Sequence, residues 1–114
     1  MTTISPSPTG RGAGVRAITP SFVPDYADPV WHLYVIRTPR REALQAALTE
    51  AGIGSMIHYP IPPHRQAAYA ALGYSKGDFP LAEAMAQQVL SLPIGPHLAL
   101  TEALAVMPPV MGTR

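Results

Sequence analysis

The sequence predicts an α+β domain of two or three short strands and three or four helices. Three observations carry that expectation. The octapeptide "VWHLYVIR" is β-branched, aromatic and too short for a typical helix. The next stretch, "TPRREALQAALTEAG", changes to a period of 3.6. Prolines then interrupt the later apolar runs before any becomes long.

Residues 1 to 16, "MTTISPSPTGRGAGVR", carry almost nothing apolar to bury, so they read as a loose tail. "ITPSFVPDYADP", Ile18 to Pro29, has three prolines among isolated apolar residues and suits an extended entry into the domain. Val30 to Arg37 is the first strand. Trp31, Leu33 and Val35 lie on one side and Val30, His32, Tyr34 and Ile36 on the other, so both faces are expected to be covered.

In the helix that follows, Pro39 suits a first-turn position. Leu44, Ala47, Leu48 and Ala51 form the inward stripe, and Gly52 supplies a left-handed stop. "SMIHY", Ser55 to Tyr59, reads as a second strand, ended by Pro60, Pro62 and Pro63. "HRQAAYAALGY" predicts a short helix ending at Gly73, and "SKGD" a turn with Asp78 as N-cap of the next helix, "FPLAEAMAQQVL". Leu81, Met85, Val89 and Leu92 make its core-facing stripe. After an extended "SLPI", the helix "TEALAVM" has Thr101 as its cap and stops at Pro108 and Pro109. The domain thus spans 17–107, with tails at 1–16 and 108–114.

Within its 114 residues the chain has room for one domain, which excludes a multi-domain enzyme. A net charge of +1 without a basic run gives no electrostatic footprint for nucleic acid or an anionic membrane. No apolar run is long enough to span a bilayer, and no signal segment opens the sequence, so the chain is expected to be soluble; the absence of cysteine is compatible with a reducing compartment and makes the cytoplasm the expected location. Without cysteine there is neither a disulfide nor a thiolate nucleophile. Charged residues make up 13% of the chain, about half of the roughly 25% usual for a soluble domain. A surface so short of charge is expected to be covered by another domain or subunit, or to self-associate.

Taken in order, "VWHLYVIR", "GIGSMIHYPIPPHRQAAY", "GYSKGDFPLAEAMA" and "LSLPIGPHL" resemble the C-terminal part of the DegT/DnrJ/StrS-type sugar aminotransferases, over residues 22 to 98. The resemblance implies the small C-terminal domain of an aspartate-aminotransferase-type fold, a small and mainly antiparallel sheet with helices packed on it. It also implies pyridoxal phosphate, a dimer, and transfer of an amino group, commonly from glutamate, to a nucleotide-linked keto-sugar. That chemistry needs a lysine for the Schiff base, a carboxylate at the pyridine nitrogen and groups that hold the phosphate. In the family these belong to a large preceding domain. Lys76, the sole lysine here, matches that lysine in neither neighbours nor place. The resemblance therefore implies a small domain with no cofactor of its own, whose partner is a large aminotransferase domain or a second subunit. The tail before Ala17 and the segment "LAVMPPVMGTR" depart from the family and point to a truncated product, half of a split enzyme or an excised fragment.

By resemblance, His58 and Tyr59 lie where the small domain approaches the substrate cleft; read from the residues alone, they are a turn satisfied by local hydrogen bonds. His64 is a third substrate contact or a structural residue opening a helix. His32 and His97 carry less. Two readings of other kinds stand beside this one. A stand-alone interaction module would pair with a partner chain through an uncovered strand face. A metal site would use His58 and His64, although the gap "YPIPP" between them is not helical spacing and a third ligand would have to come from Asp78 or His97.

Overall fold

The computed structural model describes residues 18–112, so the predicted tail at 1–16 lies outside the described residues. Its centre is a two-stranded antiparallel ladder of β1 (Tyr34–Arg37) and β2 (Val89–Leu92), with Val35 opposite Ser91 and Ile36 opposite Leu90. Single bridges widen it on both edges. Thr19 pairs with Arg37 outside β1, and Met56 pairs with Ser91 outside β2, both antiparallel. The order across the sheet is therefore Thr19, β1, β2, Met56, and the mainly antiparallel α+β architecture is present.

Both expected strands are shorter than the sequence suggested. In the register of β1 with β2, the residue opposite Leu33 is Pro93, which has no N–H to give the ladder, so pairing ends at Tyr34. Val30 is consequently 96% exposed. The expected strand Ser55 to Tyr59 contributes only the Met56 bridge.

Tyr34, Ile36, Leu90 and Leu92 share one face of the ladder and pack with Leu44 and Leu48 of α1 (Arg41–Glu50). Ile36, Leu44, Leu48 and Leu90 are the fully enclosed centre, and burying each such side chain stabilises the fold by about 1.5–3 kcal/mol. On the opposite face Val89 and Ser91 are also buried, so the paired part of β1 and β2 is covered on both sides.

α1 begins after Pro39, not at it. Arg40 holds the N-cap position, and its N–H donates to Thr38 Oγ1 at 3.1 Å. Its end is as the sequence predicted. Gly52 adopts φ +79°, the Gly52 N–H donates to Thr49 O at 3.0 Å and the Ile53 N–H to Leu48 O at 2.8 Å, the paired bonds of a Schellman motif.

The predicted helix over residues 64 to 74 is instead two tight 3₁₀ segments, Pro63–Arg65 and Ala67–Leu72, with Gly73 closing the second at φ +79°. Asp78 caps no helix: its Oδ2 accepts from the Ser75 N–H at 2.7 Å and closes the turn, while Phe79 stands at the N-cap of α2 (Pro80–Gln88).

The expected stripe of Leu81, Met85, Val89 and Leu92 also divides. Val89 turns to extended backbone, so Val89 and Leu92 belong to β2, whereas Leu81 is 65% exposed and Ala86 is the buried residue of α2. A small side chain there lets the helix approach its neighbours closely.

α3 (Leu100–Leu104) starts with the Ala99 N–H donating to Glu102 Oε1 at 3.0 Å, so Ala99, not Thr101, precedes the helix. Pro108 and Pro109 do not end the structure. They sit at the start of α4 (Met107–Gly112), where a missing N–H costs no helical bond, and Val106 and Val110 pack against the core. The described part of the 108–114 segment is thus a packed helix.

One buried charge holds α2 in place. Arg41 is 8% exposed, and its Nη1 donates to the Ala86 carbonyl at 2.6 Å and the Val89 carbonyl at 3.4 Å, where the α2 backbone runs out of its own donors. Arg37 adds two bonds to Gln88 Oε1 from the side of β1. Arg41→Ala, which orphans both carbonyls and removes the packed stem, is expected to lower stability by about 2 kcal/mol in denaturant unfolding. A change within about 0.5 kcal/mol, the range of an ordinary surface substitution, would count against this role.

Candidate functional site

The segment "IHYPIPPH" leaves the sheet edge just after Met56. His58 Nδ1 lies 2.8 Å from Ser91 Oγ, so the ring is tethered to the buried centre of β2. That bond fixes one nitrogen and leaves the ring half-buried. Tyr59, joined to His58 through a cis peptide, projects outward and is 67% exposed, its ring edge-on to His58 at 5.2 Å. Neither ring is enclosed against Leu44 and Leu48.

Two open grooves meet at His58. One, of about 240 Å³, is lined by Tyr59, Ile61, Pro62, Met85 and Val89. The other, of about 360 Å³, is lined by His32, Ser55, Met56, Ser91 and Ile94. His58 and His32 thus border one groove, with Ser55 and Ser91 offering hydroxyls beside them. Tyr59 and His58 present a phenol and an imidazole, groups that donate to and accept from hydroxyls and phosphate oxygens.

His64 is placed differently. Its Nε2 meets Glu83 Oε2 at 2.7 Å, with the two side chains 6% and 17% exposed. Its ring packs edge-on to Phe79 at 4.9 Å, and Phe79 packs likewise on Tyr74 at 5.0 Å. The same carboxylate oxygen accepts the Gly77 N–H at 2.7 Å. The His64 hydrogen bond, followed by that of Gly77, holds the Glu83 carboxyl below its ordinary range. Beside this pair, Pro63, Tyr69, Leu72, Tyr74, Phe79 and Ala82 line an apolar groove of about 380 Å³.

The two central histidines are therefore drawn to different partners, and among the described residues no group of three or more His, Cys, Asp or Glu is arranged to hold a metal. The His97 ring lies over Gly95: a Cβ on Gly95 would come within 2.7 Å of His97 Cε1.

Two partners of the site residues escaped the sequence reading. Ser91 had no signal beyond alternation along a strand. Glu83 lies in the first turn of α2 only because the helix starts at Pro80, and nothing local connects it to His64.

The residues present do not fit pyridoxal phosphate. Lys76, the one lysine, is exposed on the Ser75–Asp78 turn, and its neighbour Asp78 accepts a bond from the Ser75 N–H. A Schiff-base lysine instead requires a site that shields it and lowers its pKa.

Comparison with known proteins agrees with this architecture. The family model described as the DegT/DnrJ/EryC1/StrS aminotransferase family matches residues 13–110. The chain is 52% identical over 85 residues to the erythromycin biosynthesis sensory transduction protein EryC1 of Saccharopolyspora erythraea, covering 75% of this chain and 23% of that protein. It is 50% identical over 96 residues to the dTDP-3-amino-3,4,6-trideoxy-alpha-D-glucose transaminase of Streptomyces venezuelae, covering 83% of this chain and 25% of the transaminase. A crystal structure of S. venezuelae DesV in complex with a ketimine intermediate superposes with a TM-score of 0.77 at 47% identity, covering 86% of this chain and 26% of that one. The chain spans about a quarter of the length of these relatives.

Proposed function

The chain belongs to the DegT/DnrJ/EryC1/StrS aminotransferase family, and we propose that it is the small C-terminal domain of a pyridoxal-phosphate-dependent aminotransferase acting on nucleotide-linked keto-sugars. It acts only beside a large domain that carries the cofactor lysine, in the same polypeptide or in a partner. The observation that carries this reading is the pairing of about 50% identity to a sugar-nucleotide transaminase with the absence of any lysine fit for the cofactor among this chain's residues.

In this reading the chain supplies surface, not bond chemistry. Tyr59 and His58 face the substrate across the groove that ends at Met85, and the Ser91 bond fixes the His58 ring so that little rotamer freedom is lost when the sugar nucleotide binds. The prolines of "YPIPP" hold the backbone that carries the rings. His64 keeps its bond to Glu83 and acts from behind, as a positioning residue. When bound in the large domain, pyridoxal phosphate supplies the carbonyl chemistry of amino transfer.

The test uses the chain alone with pyridoxal phosphate, glutamate and a dTDP-linked keto-sugar. The expected result is no amino transfer and no saturable cofactor absorbance change beyond that given by surface amines. Turnover, or a stoichiometric cofactor signal abolished by Lys76→Ala, would overturn the reading.

A further inference from the structure

The chain between Pro63 and Asp78 makes an excursion from the domain that buries very little. Neither of its 3₁₀ segments contains a buried residue, and Tyr69, Leu72 and Tyr74 are all exposed. Apolar burial, the usual reason for a segment to stay folded, is weak here.

The polar ties from this stretch to α2 converge on one atom. Glu83 Oε2 accepts from His64 Nε2 near the start of the excursion and from the Gly77 N–H near its end, each at 2.7 Å. Bonds to a charged acceptor are the strong ones, and the near-burial of the His64 side chain shields this one from competing water. Phe79 then closes the loop by packing against both His64 and Tyr74.

We propose that residues 63–78 form a strap latched at both ends by Glu83, which opens as one unit, ahead of the rest of the domain, when that carboxylate loses its donors. Pro63 lies at the border of the aromatic groove and of the groove beside His58 and Tyr59, so opening the strap reshapes both. The inference rests on distances and burial in this chain and not on the aminotransferase reading, and either can fail alone.

The groups facing the latch set its pH behaviour. From the strap these are His64 and the Gly77 amide; on its own helix Glu83 meets the Phe79 backbone, and His64 is the titratable side chain that acts on it. Because the Glu83 carboxyl is held below its ordinary range, the contribution of the latch is complete above that range. It is lost only as the pH falls through the depressed value.

The experiment is amide hydrogen exchange on the full chain, followed by NMR. The reporters are the strap amides of Tyr69, Gly73 and Asp78, which donate within the excursion, and the sheet amides of Met56 and Ser91. In the wild type the strap amides should exchange faster than the sheet amides. Glu83→Ala should speed the strap amides together by roughly tenfold to a hundredfold and leave the sheet unchanged. His64→Leu should speed them too, and the double variant should add little beyond Glu83→Ala alone, because the bond that His64→Leu breaks is one of the two that Glu83→Ala already removes. Wild-type strap amides that exchange only at the rate of Ser91 would overturn the proposal. So would strap amides that respond to Glu83→Ala independently of one another, fully additive effects, or a Glu83→Ala chain that fails to fold, since the contact would then hold the domain and not the strap.

Discussion

Leu48→Ala is expected to cost about 3 kcal/mol and to lower the melting temperature by roughly 15 °C. Leu48 is 0% exposed and lies in the small apolar centre that Ile36, Leu44, Leu48 and Leu90 form among the described residues. Truncation removes the transfer free energy of the deleted atoms and leaves a cavity, which together cost about 2–5 kcal/mol at buried leucines. In a domain of this size each kcal/mol moves the midpoint by about 4–8 °C. With ordinary domain stabilities of about 5–15 kcal/mol, the loss is a large share of the whole. Leu81→Ala is the matched control, being on the exposed side of α2, and should change stability by less than about 0.5 kcal/mol. Thermal unfolding by circular dichroism decides between them; similar midpoints for the two variants would mean that α1 and β2 do not share the core described.

The second large effect concerns Tyr59 in a working enzyme. In a hybrid in which residues 18–112 replace the matching quarter of the S. venezuelae transaminase, Tyr59→Ala should lower kcat/KM by roughly tenfold or more, mainly by raising KM. The side chain is exposed, so its loss leaves the fold intact, and a group that meets the bound sugar nucleotide away from the reacting carbon affects ground state and transition state alike. Tyr59→Phe, which keeps the ring and removes the hydroxyl, separates stacking from hydrogen bonding. An unchanged KM in both variants would remove Tyr59 from the substrate surface.

What could be read from the sequence was what local chemistry specifies. The Leu44 and Leu48 stripe, the Gly52 stop and the Gly73 stop need only their own neighbours to be recognised. Val89 is the instructive failure. It continues the helical period of Leu81 and Met85, but pairing with Arg37 of β1 draws it into the sheet, a choice made by a strand some fifty residues away that no local window contains. Arg41 carries no local signal for the same reason, since its partners are the Ala86 and Val89 carbonyls. Pro108 and Pro109 signal a stop to the helix before them, yet proline fits the first turn of a new helix equally well, and there they open α4. At the site, the stiffness of "IHYPIPPH" and its place at a strand end were legible. The bond from His58 to Ser91 and the capture of His64 by Glu83 were not, because each joins residues that only the tertiary fold brings together.

As a substrate-facing small domain that depends on another domain for its cofactor, this chain should support amino transfer once it is joined to a large domain that holds one. The most direct test is steady-state turnover of the unmutated hybrid, after cofactor absorbance has shown that the S. venezuelae part retains its pyridoxal phosphate. The expected result is amino transfer to the dTDP-linked keto-sugar at a rate within about tenfold of the parent enzyme, a difference worth about 1.4 kcal/mol in the barrier. A hybrid that folds and holds its cofactor but transfers no amino group would contradict the account.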